Sequence, residues 1–385
     1  MTSLSALVLD LEPSARLLFG GGSLDHLAEE ISALGATSAF VVTDRGMMTT
    51  GIIERVTDLL GAGGLRVGVF ADVEPNPSTE TIDTAAAELR SFGDAVVVAV
   101  GGGSALDAAK GIALLACNAG AAHTFDFAVP PEHAGRPIVA IPTTSGTGAE
   151  TNGFGVIEDR ENKRKVYIGH SSVRPALSIL DAELTVNLPS GVTAATGMDA
   201  LTHGIESLAS KGSSPLSAAY ATEAIRLVNT HLHTAVTNGA DHDARAGMLL
   251  GAHLAGRALS LSGLGLVHGI AHAVTNRTGA PHGLALTAVL DTVMERSAEV
   301  ATPAYTRVAA AMGLDPTTTD SPARAVDAVR ELGQSVGARR RLSSLGVTTS
   351  MAPDVAAGAL ADPVSTNHPR PFSTAEVQQI LLDRL

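Results

Sequence analysis

The chain has 385 residues, 45% of them hydrophobic and 17% charged, with a net charge of −13 and a pI near 5.4. That length exceeds one ordinary core and predicts two domains. The acidic balance argues against nucleic acid as a partner, because phosphate contacts need a basic surface. A single cysteine, Cys117, excludes intrachain disulfides and multi-thiolate metal sites. The mean hydropathy of +0.23 reflects Ala and Val. The most apolar region, Ala95 to Ala122, is broken by Asp107 and Lys110, so no membrane span is expected. The N-terminus lacks a basic run and soon carries Asp10 and Glu12, unlike a signal peptide. The expected compartment is the cytoplasm.

Taken in chain order, the first half alternates helical patterns with short β-branched runs. Helix-like segments cover Leu24–Leu34, Gly51–Leu60, Glu80–Ser91 and Ala105–Leu115. Strands are expected at Ala39–Thr43, Arg66–Phe70, Ala95–Val100 and Pro137–Ile141. This alternation predicts βαβ units and an α/β, doubly wound parallel sheet. From about Pro189 the sequence turns Ala-rich, and five segments between Thr193 and Ser297 read as helices punctuated by Gly and Pro. The expected domains are 1–187, α/β, and 188–385, all-α.

Strand 95–100 runs into Gly101-Gly102-Gly103-Ser104 and then a helical pattern. Backbone N–H groups there can approach an anion unobstructed, and the helix N-terminus adds a positive dipole end. The segment reads as a pyrophosphate cradle or as a plain strand–helix turn. Gly20-Gly21-Gly22-Ser23 reads better as a tight turn. Pro142-Thr143-Thr144-Ser145-Gly146-Thr147-Gly148 supplies hydroxyls at another strand's carboxyl end, as a ligand loop or a helix cap. Asp44 could accept from ribose hydroxyls and disfavour a 2′-phosphate, or could simply close a turn; Arg45 beside it weakens the discrimination.

Asp199 and His203 stand four apart, as do His268 and His272, and Pro281-His282-Gly283 follows. Residues at i and i+4 share one helix face. One carboxylate with imidazoles suits Fe²⁺ or Zn²⁺. A lone histidine in an Ala-rich helix is more often structural, and His231, His233, His253 and His368 keep that reading.

These pieces, with Val73-Glu74-Pro75-Asn76-Pro77, Thr196-Gly-Met-Asp199 through Glu206 and the tail Asn367-His-Pro-Arg-Pro-Phe, resemble in content and order the iron-containing (group III) alcohol dehydrogenase family. The resemblance implies a dehydroquinate synthase-like fold, with the active site in the cleft between the domains. It implies metal ligands at Asp199, His203, His268 and His282, with His272 handling a proton beside them. It places Asp44, Gly102, Gly103, Ser104, Asp107, Thr143, Thr144 and Lys165 around the dinucleotide. The implied cofactors are NAD, with NADP as the alternative, and Fe²⁺, with Zn²⁺ as the alternative. The implied activity is hydride transfer between NAD(P)(H) and an alcohol, aldehyde or ketone whose oxygen sits on the metal. The implied state is a homodimer or larger homo-oligomer.

Thr275, Leu259 and Leu261 depart from the family pattern, as do Gly153 and Gly155. Leu259 and the two glycines suggest a roomier pocket. Arg257 could meet an anionic substrate, although a surface role suits it better. The rival readings are a polyol or glycerol-phosphate dehydrogenase, a dehydroquinate-synthase-like lyase, and a non-catalytic dinucleotide-binding protein.

Overall fold

The computed structural model describes residues 15–125, 127, 129–161 and 164–385; Asp10 and Glu12 lie outside them. The first half runs β1 (Arg16–Phe19), α1 (Leu27–Ala33), β2 (Ser38–Val42), α2 (Ile52–Ala62), β3 (Arg66–Phe70), α3 (Thr79–Phe92), β4 (Val96–Gly101), α4 (Gly103–Leu115), β5 (Ile138–Pro142), β6 (Phe154–Asp159), β7 (Arg164–Gly169) and β8 (Leu177–Leu180). Six strands form one parallel sheet in the order β1-β8-β5-β4-β2-β3, and β6 and β7 make a separate antiparallel hairpin. The four expected strands all form, within a residue of their expected ends. β1, β8 and the hairpin were not anticipated.

Period-two alternation sends the two faces of the sheet into two cores. Phe40, Val42, Val97 and Ala99 pack with Ile82 and Leu89 of α3 and Leu106 and Ile112 of α4. Ala39, Val41, Val96 and Val98 pack with Leu27 and Ile31 of α1 and Val56 and Leu60 of α2. Burial on both faces is why β4 reads as an unbroken apolar run. From β2 the chain steps outward to β3, then returns to the other side of β2 as β4. The topological switch point therefore lies between the carboxyl ends of β2 and β4, where open α/β sheets bind ligands.

The later half is helical: α5 (Ser190–Ala209), α6 (Pro215–Thr237), α7 (His242–Ser262), α8 (Leu266–Thr278), α9 (His282–Ser297), α10 (Thr302–Ala311), α11 (Ser321–Ser335), α12 (Ala352–Ala361) and α13 (Thr374–Asp383). Helix starts follow local chemistry: Ser214 and Ser217 form a capping box before α6, and Asp241 Oδ1 accepts from Ala244 N at 2.9 Å. A third core, from Ala194 to Leu381, belongs wholly to this later half. No single helix among the described residues is long and apolar enough to cross a membrane.

One break positions the site. α7 and α8 meet at 106° across Gly263-Leu264-Gly265, with Gly263 at φ +66°. The bend frees backbone carbonyls, and Asn367 takes two of them: its Nδ2 donates to Ser262 O and Leu264 O, both at 2.8 Å. The next residue, His368, caps α8 by accepting from Leu266 N through Nδ1 at 3.3 Å. The tail motif thus fixes the helix that carries His268 and His272.

Candidate active site

At the switch point, a cleft of about 1050 Å³ is lined by Asp44, Gly102, Gly103, Ser104, Thr143 and Thr144 among others. Gly101 adopts φ +148°, and a Cβ there would lie 2.8 Å from Ala105 Cβ, so only glycine permits this turn. Gly102 precedes α4 with no side-chain cap, leaving the first-turn N–H groups for an anion. Asp44 does close a turn, since Oδ1 accepts from Met47 N at 3.0 Å, and it also faces the cleft. Arg45 is held by Asp72 at 2.6 Å. Asp72, Glu74, Glu80 and Glu88 add further negative charge to the walls, with Arg160 paired to Glu74 at 2.8 Å. The Gly20–Ser23 segment is a turn, with Gly22 at φ +77° and Asp181 accepting from Leu24 N at 3.1 Å.

A second cavity, about 490 Å³, adjoins the first and shares Gly103, Ser104 and Thr147 with it. Asp107 and Lys165 lie here and not in the larger cleft. Asp107 is taken up by the protein: Lys110 Nζ donates to Oδ1 at 3.3 Å and Val156 N to Oδ2 at 3.1 Å. It anchors the hairpin to α4. Lys165 donates to Glu158 at 2.9 Å.

Asp199, His203, His268 and His282 converge in this second cavity. The Nε2 atoms of the three histidines stand 3.4, 3.7 and 3.9 Å from Asp199 Oδ1, in that order. Asp199 Oδ1 and His268 Nε2 are buried without hydrogen-bond partners. Such orphan atoms are costly unless something satisfies them. Two ligands each about 2.1 Å from one ion in tetrahedral geometry stand about 3.4 Å apart, so the spacing fits a shared cation better than hydrogen bonds. The ligating atoms of Asp199, His268 and His282 all lie within 4.8 Å of one another; His203 joins through Asp199. The Pro-His-Gly turn puts His282 at the start of α9, and a Cβ at Gly283 would lie 2.0 Å from Ala195 O of α5. Only glycine lets α9 approach α5 that closely.

The electrostatics agree with ligand roles at Asp199, His203 and His282, whereas His268 must give up a proton to hold a cation. Burial pushes His203 down to about 4, leaving it neutral. Burial opposes ionisation of Asp199, but the surrounding imidazoles outweigh it and hold the carboxyl far below its ordinary range. Burial likewise opposes a charge on His268, yet Asp199 and Glu206 on either side raise it to about 9. The ligand set implied by the sequence does not include Glu206. Its Oε2 accepts from His268 Nδ1 at 2.6 Å and its Oε1 from Val267 N at 2.8 Å. Asp362 was missed entirely, and its Oδ2 accepts from His272 Nδ1 at 2.7 Å. Glu206 sits three residues after His203 on the same helix face, a signal that spacing offered; Asp362 gave none.

Of the family departures, Leu259 and Thr275 stand at the pocket and the two glycines do not open it. Leu259 lines the second cavity. Gly153 and Gly155 do not enlarge it: a Cβ at Gly153 would lie 2.5 Å from His170 O, and one at Gly155 would lie 2.6 Å from Asp107 O. Their missing side chains are filled by neighbouring backbone. Arg257 lies 5.6 Å over the Tyr220 ring and is not among the residues lining the cavity.

Hydride transfer between a dinucleotide and a carbonyl needs a phosphate cradle and an electrophilic centre side by side. A cradle at the switch point that opens onto a carboxylate–imidazole cluster meets that need, and the chain is an oxidoreductase of the alcohol dehydrogenase and aldehyde reductase class. Residues 13–182 match the model of iron-containing alcohol dehydrogenase, and residues 193–385 match the C-terminal model of the Fe-containing alcohol dehydrogenase family. The chain belongs to the iron-containing alcohol dehydrogenase family. It is 32% identical to the NAD-dependent methanol dehydrogenase of Bacillus methanolicus, over 96% of this chain and 97% of that one. It resembles the crystal structure of 1,3-propanediol oxidoreductase with a TM-score of 0.95 at 31% identity, covering 98% of this chain and 100% of that one. It resembles the sulfoacetaldehyde reductase of Bifidobacterium kashiwanohense in complex with NAD+ with a TM-score of 0.90 at 28% identity, covering 98% of this chain and 99% of that one.

Proposed function

We propose that this chain interconverts alcohols with aldehydes or ketones, using NAD and a divalent cation held by Asp199, His203, His268 and His282. The observation that carries the reading is the shared wall: Gly103, Ser104 and Thr147 line both the dinucleotide cleft and the cavity of the four ligands. Fe²⁺ is proposed on the family's description, with Zn²⁺ suiting the same donors. When bound, the cation supplies Lewis acidity to the substrate oxygen.

The chain's own residues do the rest. Gly102, Gly103 and Ser104 offer N–H groups to the pyrophosphate at the positive end of α4. Asp44, Thr143 and Thr144, which line the same cleft, would hold the ribose end. Asp44 and the acidic walls repel a 2′-phosphate, which favours NAD over NADP, as does the NAD+ bound in the sulfoacetaldehyde reductase. Lys165, braced by Glu158, lines the second cavity from the hairpin side and would meet only the part of the cofactor that reaches into it. His272, oriented by Asp362, handles the proton. The apolar cores respect a division into domains 1–187 and 188–385. The lone thiol suits a cytoplasmic enzyme, and a homo-oligomer is the proposed state, to be read by sedimentation.

The test is NADH oxidation over a panel of aldehydes and ketones, with Fe²⁺ and Zn²⁺ supplied separately and NADPH run in parallel. Metal-dependent turnover preferring NADH is expected, and His268→Ala should abolish it. Full activity of that variant after chelation would overturn the assignment.

A further inference from the structure

Two cations, Arg45 and Arg160, stand among the described residues that line the dinucleotide cleft, and the other charged groups there are carboxylates. Arg160 donates to Glu74 at 2.8 Å. Arg45 directly follows Asp44, just past the carboxyl end of β2. Two contacts locate Asp44. Its Oδ1 accepts from Met47 N at 3.0 Å, and its Oδ2 would lie 3.6 Å from a Cβ on Gly101, the first glycine of the cradle. The carboxylate therefore stands one step out from the pyrophosphate position, where a ribose follows.

The next strand outward is β3. Val42 pairs with Phe70, and the ladder runs on through Thr43 N to Phe70 O at 2.9 Å and Val73 N to Thr43 O at 3.3 Å. Residues 44–45 and 72 thus leave the sheet side by side. Across that gap Asp72 Oδ1 accepts from Arg45 Nε at 2.6 Å. The two side chains are 82% and 58% exposed, Arg45 first, so the pair adds little to the fold. Its place beside Asp44 gives it a different consequence. Where a carboxylate meets the ribose 2′-OH, a nearby arginine is the group that accommodates a 2′-phosphate. Arginine suits a phosphate because its planar fork presents parallel N–H donors. Here one donor of the fork is spent on Asp72, and the charge of Asp72 faces any phosphate that approaches.

We propose that Asp72 is a coenzyme-specificity residue: it holds Arg45 as a clamp and so denies a 2′-phosphate the cation that stands nearest Asp44. Arg45 is then a latent phosphate ligand, kept occupied by the protein's own carboxylate. The inference rests on the dinucleotide reading above and deepens it, since it adds a second barrier to NADP beside Asp44.

The experiment titrates NADH and NADPH separately into the full chain, following the fluorescence of the reduced nicotinamide. Four proteins are compared: unaltered, Asp72→Asn, Arg45→Ala and the double variant. Both positions are exposed, so the variants should fold. The readout is the Kd for NADPH divided by the Kd for NADH. The unaltered protein should bind NADH the more tightly. Asp72→Asn should lower the ratio about tenfold, up to about fivefold of it from an exposed ion pair that no longer has to be broken and the rest from lost repulsion. In the Arg45→Ala background the same change should lower the ratio only about twofold, because no cation is left to release. That difference between backgrounds is the coupling that separates a clamp from a plain change of charge. Equal falls in the two backgrounds, no fall in Asp72→Asn, or a preference of the unaltered protein for NADPH overturns the inference and leaves the oxidoreductase reading standing. No binding of either coenzyme to the unaltered protein overturns the dinucleotide reading and this one with it.

Discussion

Glu206 shows how one side chain can serve a site without entering it. It is buried, accepts from His268 Nδ1 at 2.6 Å, and so directs Nε2 towards Asp199. Partners of this kind fix the tautomer and orientation of a ligating imidazole and raise its basicity. Replacing Glu206 with Gln keeps the shape but removes the charge. Metal affinity in Glu206→Gln should fall about 10- to 100-fold, read by competition against a chelator, with far-UV circular dichroism unchanged; equal affinity in both proteins would deny Glu206 this role. The pairs Asp199/His203 and His268/His272 were legible from helical spacing alone. Glu206 was within reach of the same argument, since it completes one face of α5. Asp362 was not, because only the tertiary fold brings it across 90 residues to His272.

Among the elements, α8 bears the most consequence for the site and depends on residues far from it in sequence. Two of its first-turn N–H groups are satisfied in trans, Leu266 N by His368 and Val267 N by Glu206. His368 must be neutral to accept through Nδ1 while Nε2–H donates to Ser297 Oγ at 2.8 Å. Burial lowers its pKa from the ordinary 6.5 to about 4. Because the folded value is the lower one, the stabilisation is complete above pH 6.5 and drains away as pH falls towards 4. His368→Gln should be less stable than the unaltered protein in urea at pH 7, and the gap between their midpoints should narrow by pH 4.5, since Gln does not titrate. A gap that stays constant would show that His368 does not bind its proton in that window. Other elements resisted the sequence for plain reasons. β8 is four residues long with Ser178 in its middle, and Ser178 Oγ is spent on Glu150 O at 3.1 Å. The hairpin strands carry Glu158, Asp159 and Lys165, which read as solvated loop until Glu158 and Lys165 are seen to pair.

For the whole molecule, the decisive fact is where each function is housed. The glycine cradle and Asp44 belong to the sheet, and all four proposed metal ligands belong to α5, α8 and α9. No apolar core joins the two halves among the described residues. Among the contacts that join them is a polar and glycine one: Glu150 and His253 pair at 3.0 Å, and Gly148, at φ +60°, rests directly on Gly256 of α7. A Cβ at residue 256 would stand 2.7 Å from Gly148 O and 2.8 Å from Thr151 Oγ1, so Gly256→Ala must push the loop and α7 apart. The four metal ligands and Gly102, Gly103 and Ser104 lie on neither that loop nor α7. NADH affinity and metal affinity should therefore both survive within a few-fold, by fluorescence titration and chelator competition. Turnover should not survive, because a misplacement of about 1 Å between reacting groups costs on the order of a hundredfold. Loss of either binding activity in Gly256→Ala would show that the contact organises the halves internally. Retained binding with turnover down by that order would show that it sets the distance between them.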